Sequence, residues 1–199
     1  MTTRYGLIIL VLVPLLVRAE PAWHSAEVTI PASMDRVVKA LEQPCEVLQW
    51  MPDLDTIRVL EKDSAGRSLV YMRSHAPWPF APRDAVLAFR RENTPGQVLI
   101  TMRAEPTAMP EQPGYVRIPA SDAEWSLRQR NGTTLVNYRS RVAPGGQVPQ
   151  WLSDRFARRA VARAVTALRE HVIDKDSGEK TADCAAADQR RDSRSRSRQ

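Results

Sequence analysis

The stretch that decides the fold is PWPFAPRDAVLAFRR, residues 77–91. Three of its first six residues are prolines, which interrupt a sheet because they lack the N–H that a β-ladder needs. The residues that follow alternate as in a β-strand, so successive side chains point to opposite faces. Arg83 and Asp84 therefore point apart, and each needs a partner elsewhere. The stretch predicts a stiff corner that leads into a strand of a curved sheet.

Alternating apolar and polar residues predict further strands on both sides of this one, between residues 56 and 144. Turn signals at 63–66, 94–96 and 131–132 join neighbouring strands as hairpins. Only residues 106–119 break the order, and we expect a longer connection there. The predicted strands are TIRVLEKD (56–63), RSLVYMRSH (67–75), RDAVLAFRRE (83–92), QVLITMRAEP (97–106), DAEWSLRQR (122–130) and TTLVNYRSRV (133–142).

A short strand and two helices are predicted before these strands. Residues 27–30 alternate and end at Pro31. Ser33 is a suitable N-cap for a helix over 33–43, whose apolar residues share one face. After Pro44, the segment CEVLQWMPDL (45–54) predicts a second short helix that ends near Pro52.

A long C-terminal helix is predicted from Pro149, because proline is favoured in the first turn of a helix. It is about 24 residues or about 36 Å long. Its apolar residues recur at helical spacing and form one stripe, while the arginines lie elsewhere. Such a helix lies either on a membrane or against a core, and core packing is the more common case. The stripe consists of Leu152, Phe156, Ala160, Val161, Ala164, Val165, Leu168 and Val172.

These elements predict an α+β fold in which a curved antiparallel sheet wraps around the long C-terminal helix. Two short helices follow the first strand. A meander of strands curls, and its concave face must be covered by an element of sufficient length. A sheet wrapped around a helix leaves space between them, and such spaces bind apolar ligands.

The two ends of the chain differ from this domain, which we assign to residues 20–174. Residues 1–19 contain an apolar run of 12 residues between Arg4 and Arg18, typical of a cleaved secretory signal peptide and short of the roughly 20 residues of a membrane span. An uncleaved anchor is the alternative. Residues 175–199 have no aliphatic side chain larger than alanine, so we expect a disordered polar tail. The sequence thus predicts a secreted or periplasmic protein.

No catalytic, metal-binding or nucleic-acid-binding motif is present in the sequence. The net charge of +6 is too diffuse to indicate a nucleic-acid partner. We expect His24, His75 and His171 to be surface or structural residues, because they are far apart in sequence. Asp84 is a candidate general base if it is buried, but a paired structural carboxylate is the more common case. Cys45 and Cys184 are expected to be free, and we expect no cofactor, no metal and no enzyme activity.

Four segments, in the right order on this element plan, resemble the START family of lipid-transfer domains. They are PRDAVLAFRR (82–91), MPEQPGYVRI (109–118), DAEWSLRQRNGTTLVNYRSRVAPGG (122–146) and QVPQWLSDRFARRAV (147–161). The resemblance implies the helix-grip (Bet v 1-like) fold and a tunnel that holds one lipid or sterol molecule for transport between membranes. It implies transient membrane contact, no cofactor, and a C-terminal helix that acts as a lid. The chain looks like a bacterial, periplasmic member.

One departure from the family bears on the ligand. Sterol-binding members carry an arginine six residues after the motif arginine, where this chain has Phe89. They also carry an acid on the preceding strand, where this chain is apolar around residues 70–72. Because a buried ion pair is costly unless well matched, its loss predicts a more apolar cavity with fewer orienting groups. This departure argues against sterol specificity and leaves lipid binding intact.

Strand alternation and the resemblance together select the candidate ligand-contacting residues. Simple core packing is the alternative for each of them, and a cyclase or aromatase enzyme of the same fold is the alternative function; a pocketless interaction domain is a further one. The Tyr138 hydroxyl would need a partner if buried, so it is a candidate to orient a head group. Trp78 and Phe80 are expected at the cavity entrance. The candidate cavity residues are Arg83, Leu87, Phe89, Ile100, Met102, Trp125, Tyr138, Phe156 and Ala160.

Overall fold

The computed structural model describes residues 20–51 and 53–175. The predicted signal peptide, nearly all of the predicted tail and Cys184 lie outside these residues. Eight strands and three helices follow one another along the described chain. They are β1 (His24–Ile30), α1 (Met34–Glu42), α2 (Pro44–Trp50), β2 (Leu54–Lys62), β3 (Arg67–Ser74), β4 (Arg83–Thr94), β5 (Gln97–Ala104), β6 (Val116–Arg117), β7 (Ala120–Arg130), β8 (Thr133–Ala143) and α3 (Gln150–Lys175).

The predicted α+β architecture is confirmed, with differences at element ends. β1 begins at His24, three residues before the predicted start. α2 ends at Trp50, and β2 begins at Leu54, inside the segment predicted as helix. The connection predicted at 106–119 contains β6, which pairs with β4 in parallel. Two residues of strand carry too little periodicity for the sequence to reveal them.

The sheet places the strands in the order β1-β8-β7-β5-β4-β3-β2, with all these neighbours antiparallel. The β7–β8 turn has Asn131 at φ 42° and Gly132 at φ 78°. Left-handed conformation at both residues is what a type I′ hairpin turn requires. β1 pairs with β8, so the first and last strands meet at one side of the sheet.

The two short helices cover one end of the concave face. Ser33 caps α1 by accepting a hydrogen bond from the Arg36 backbone N–H at 3.3 Å. In α2, the indole Nε1 of Trp50 donates to the Ala40 carbonyl of α1 at 3.0 Å, which satisfies a buried donor. Beneath the helices, concave-face residues of β5, β7 and β8 are fully buried: Val98, Leu127 and Val136. We call these three the buried end.

The long helix α3 packs on β1, β8, α1 and α2. The residues that it buries are Val161, Val165, Leu168 and Val172, all in its C-terminal part. His171 of α3 and Arg36 of α1 both contact the buried Glu46 carboxylate of α2, at 3.1 Å and 2.9 Å. This cluster joins the three helices, so the C-terminal part of α3 is fixed against the domain.

A buried ion pair stabilises the convex face of the sheet. Arg117 donates from Nε and Nη2 to the two carboxylate oxygens of Asp84, at 2.9 Å and 2.8 Å. Arg117 also donates to the carbonyls of Pro106, Met109 and Pro110. The hydrogen bond with Asp84 raises the pKa of Arg117. Asp84 is thus a paired structural residue, as predicted, and its partner holds the 105–115 connection against β4.

Arg117→Met should lower the free energy of unfolding by about 3–5 kcal/mol, because it leaves the Asp84 carboxylate buried without its counterion. Chemical denaturation measures the loss. Arg103→Met is the matched control: Arg103 pairs with Asp122 at 3.2 Å but is 76% exposed, so its loss should be about 1 kcal/mol or less. Equal losses in the two variants would contradict a structural role for the buried pair.

Candidate ligand cavity

The predicted concave-face residues occur together on neighbouring strands. Strand register pairs Phe89 with Met102, Ile100 with Trp125, and Trp125 with Tyr138. Arg83, Ala85, Leu87 and Phe89 share this face of β4, as strand alternation predicts. The sheet therefore assembles one continuous surface from segments up to about fifty residues apart in sequence.

This surface is only partly covered where it leaves the buried end. Four of its residues, Leu87, Phe89, Met102 and Tyr138, are half-buried, and we call them the open end. Ile100 and Trp125 are buried beside them. The open end is predominantly apolar and retains accessible surface, as the wall of a recess does.

Three aromatic side chains, Trp50, Trp125 and the open-end residue Tyr138, pack together beside the buried end. Trp125 lies parallel to Tyr138 with ring centroids 3.9 Å apart, and the Trp50 ring meets Trp125 edge-on at 6.1 Å. Burial raises the pKa of the Tyr138 phenol, while a hydrogen bond to Ser140 acts in the opposite direction. The phenol group of Tyr138 is thus desolvated, although the side chain as a whole is half-buried. Its hydroxyl partner, Ser140, was not predicted from the sequence.

The N-terminal part of α3 covers the open end loosely. No residue from Gln150 to Ala160 is buried. Phe156 is 36% exposed and meets Phe80 edge-on, with ring centroids 6.4 Å apart. Ala160 is exposed, so it does not belong to the buried stripe that the spacing predicts. The stripe departs from prediction here because the first turns of α3 have no closely packed sheet beneath them.

Arg83 is the buried cation of this region, with only 8% of its surface exposed. Its Nε–H donates to the Pro144 carbonyl at 3.3 Å, and its Nη1 donates to the Ala81 carbonyl. The guanidinium lies 5.7 Å from the centroid of the Phe80 ring. Burial lowers the pKa of Arg83. Arg83 thus links the proline corner to the connection that enters α3.

The other residues of the proline corner lie at the surface. Trp78 is 93% exposed, and Phe80 is half-buried against Phe156. The corner therefore lies beside the N-terminal part of α3. Its role as an entrance remains a prediction.

The three histidines lie in different environments. His24 was predicted to be a surface or structural residue, and it lies on the concave face with 11% of its side chain exposed and its Nε2 3.9 Å from Asp154 Oδ1. The sequence signal for this position is the alternation of residues 24–30, which begins three residues before the predicted strand. His75 follows β3 and is 68% exposed. His171 has the structural position in the helix cluster described above.

A groove with a volume of about 870 Å³ lies mainly on the convex face. Charged side chains of both signs line it, among them Arg103, Asp122 and Glu124. Trp23 lies between Arg139 and Arg141 at its side, 5.0 Å and 5.1 Å from the two guanidinium carbons. Phe89 and Met102 of the open end also line this groove, so the two surfaces share these residues.

The residues that the structure describes contain no cluster of three or more histidine, cysteine or acidic side chains placed to hold a metal ion. Nor does any helix among them have the length and apolar character needed to cross a membrane. Cys45 is not in a disulfide.

A curved sheet wrapped around a C-terminal helix, with half-buried apolar residues on its concave face, defines a protein of the helix-grip class. The chain belongs to the START domain family, which matches residues 17–174. START domains are mostly lipid-binding proteins rather than enzymes.

Related proteins and solved structures agree with this assignment. The chain is 32% identical to an uncharacterised protein of Pseudomonas aeruginosa over 61% of its length, and 26% identical to the phosphatidylcholine transfer protein of Bos taurus over 57%. It spans 60% and 55% of the lengths of these two relatives. A STAR-related lipid transfer protein from Xanthomonas axonopodis matches with 31% identity and a TM-score of 0.69, over 74% of this chain and 84% of that one.

An enzyme shares the fold. The Zhui aromatase/cyclase from Streptomyces sp. R1128 matches with a TM-score of 0.52 and 16% identity, over 77% of this chain and 92% of that one. At this identity the likeness extends to the fold alone.

Proposed function

We propose that the protein binds one lipid molecule at the open end and carries it between membranes of the cell envelope. The observation that supports this is the apolar surface of Leu87, Phe89 and Met102, left half-buried under a loosely packed helix. Covering such surface is favourable by roughly 25 cal/mol per Å². An acyl chain between α3 and the sheet is the ligand whose chemistry matches that wall.

Family membership supports the same function. The relatives described above include a phosphatidylcholine transfer protein and a STAR-related lipid transfer protein. Phe89, in the position of the cavity arginine of sterol-binding members, favours a lipid with flexible chains over a sterol. The class of lipid that this chain binds is inferred from the residues of its own concave face, and it is part of the proposal.

The cyclase alternative has less support from the open end. His24 is a titratable side chain on this face, and its Nε2 lies 3.9 Å from Asp154 Oδ1 of α3. The apolar wall beside them offers few groups that would polarise a polyketide carbonyl, so we favour the carrier.

The carrier hypothesis requires a surface that contacts membranes, and we propose the corner together with the N-terminal part of α3. Trp78 and Trp151 are 93% and 67% exposed there. Tryptophan favours the membrane interface, and exposed arginines are attracted by anionic head groups. The Phe80–Phe156 contact brings the two segments together. The exposed arginines of this part of α3 are Arg155, Arg158 and Arg159.

We further propose that this work takes place outside the cytoplasm, after removal of residues 1–19. The charged start, short apolar run and small residue at Ala19 support a signal peptide. N-terminal sequencing of the protein purified from an envelope fraction should find a start near Glu20. A chain that retains Met1 and remains in the cytoplasm would contradict the proposal.

Met102→Trp should reduce the lipid bound to the purified protein about tenfold or more, because overpacking of this kind costs about 1–3 kcal/mol at a filled site. Native mass spectrometry after purification, followed by lipid extraction, measures the bound lipid. The control is Arg103→Trp, one residue along β5 on the convex face and exposed, which should bind as the wild type does. Wild-type protein without bound lipid and without transfer between vesicles would overturn the carrier.

Trp78→Ala should slow the transfer of labelled lipid between anionic vesicles several-fold, which corresponds to about 1 kcal/mol, because the variant loses an interfacial tryptophan. The amount of lipid bound should not change, because Trp78 is outside the recess. Trp23→Ala is the control, since Trp23 is also exposed, at 44%, but on the convex face. An unchanged transfer rate in Trp78→Ala would count against the entrance.

A further inference from the structure

Arg83 is a buried cation whose partners within the protein are neutral. A guanidinium has five N–H donors, and here Nε and Nη1 donate to the backbone carbonyls of Pro144 and Ala81. Among residues 20–51 and 53–175, Nη2 has no hydrogen-bond acceptor, and no carboxylate lies within the 4.0 Å of an ion pair. Nη2 is not among the fully buried side-chain atoms that lack a partner, so it is accessible from outside the protein and can bind an anion.

Arg117 is a second buried arginine in this fold, and its role is structural. Its exposure is also 8%, yet it has a bidentate carboxylate in Asp84 and three carbonyl acceptors. The two arginines are on opposite faces of the sheet. The one on the convex face is fully neutralised, and the one on the concave face is not.

The position of Arg83 relates it to the proposed ligand. It is the first residue of β4, on the same face as Leu87 and Phe89, and its guanidinium is beside Phe80, which contacts Phe156 of α3. At a rise of about 3.3 Å per residue, the apolar wall extends about 20 Å along β4 from Arg83 to Phe89. The concave face thus has a cation at one end of a long apolar surface.

We propose that the ligand is an anionic amphiphile, a lipid with a phosphate or carboxylate group that binds the free side of the Arg83 guanidinium while its chains lie along β4. This inference rests on the proposed function and specifies its substrate class. The Arg83 Nη2 group can donate a charge-assisted hydrogen bond to an oxygen of a phosphate or carboxylate. Closure of the site by Phe80 and Phe156 strengthens the interaction because it excludes water.

The first test compares head groups with the acyl chains held constant, and it needs only wild-type protein. Delipidated protein is equilibrated with dioleoylphosphatidic acid and dioleoylglycerol in competition, and native mass spectrometry counts each bound species. Phosphatidic acid should exceed diacylglycerol about tenfold or more, the range of a charge-assisted hydrogen-bonded pair. Equal binding of the two overturns the head-group proposal alone, whereas binding of neither overturns the proposed function.

Two further arms identify the chemistry of the anion. Oleate tests whether a carboxylate suffices, and inorganic phosphate tests whether the anion binds without chains. Displacement of phosphatidic acid by oleate supports the proposal. Displacement by inorganic phosphate at comparable concentration contradicts it, because a site for the free anion would not need an amphiphile.

Variants separate ligand binding from the structural link that Arg83 makes. Arg83→Gln should lose the preference for phosphatidic acid and keep the affinity for diacylglycerol, and Arg83→Lys should keep part of the preference. Arg90→Gln is the matched control, on the same strand but exposed on the convex face and paired with Glu92. A folded Arg83→Gln protein with an undiminished preference overturns the proposal. If Arg83→Gln does not fold, Arg83→Lys and the wild-type competition decide.

Discussion

The ion pair of Arg117 with Asp84 is the interaction on which the arrangement of both sheet faces depends. Asp84 follows Arg83 in β4, so the two charges enter opposite faces and cannot neutralise each other. Asp84 is 1% exposed, and such a carboxylate is tolerated only with a matched counterion and hydrogen bonds. Arg117 provides both, and it also closes the 105–115 connection over the convex face. The concave face then carries Arg83 without a carboxylate.

The concave face has a buried part and a half-buried part, and the difference depends on which helix segments cover each part. α1, α2 and the C-terminal part of α3 converge on Val98, Leu127 and Val136, and the Glu46 cluster holds the helices together. The contacts of Trp125 with Trp50 and Tyr138 lie at the limit of this closely packed region. Beyond it, α3 has no buried residue, and Leu87, Phe89 and Met102 keep accessible surface. Core and recess are therefore two parts of one surface, distinguished by which helix segment lies above them.

Much of the fold was predictable because it rests on periodicity and local turn chemistry. Alternation placed Arg83, Leu87 and Phe89 on one face of β4, and Asn131–Gly132 predicted the β7–β8 hairpin. The START resemblance was carried by four segments and is confirmed by the family match. The parts of the candidate site that were missed are those with no local signature. Ser140 and His24 are single residues on the concave face, and their significance depends on the strands and helix beside them. Ala160 has the helical spacing of the predicted stripe, but no residue of α3 before Val161 is buried.

The sequence by itself determined the order of the elements, the face to which each strand residue points and the absence of an arginine at Phe89. These properties are local, since they depend on backbone geometry and on which side chain occupies a position. Only the tertiary structure decided that Arg117 neutralises Asp84, that β1 pairs with β8, and that Arg83 is buried with carbonyl partners alone. Each of these joins segments tens of residues apart, and the free energy of a buried charge depends on every group that surrounds it. The sequence pattern does not show which groups surround a side chain, so only the tertiary structure reveals the environment of Arg83.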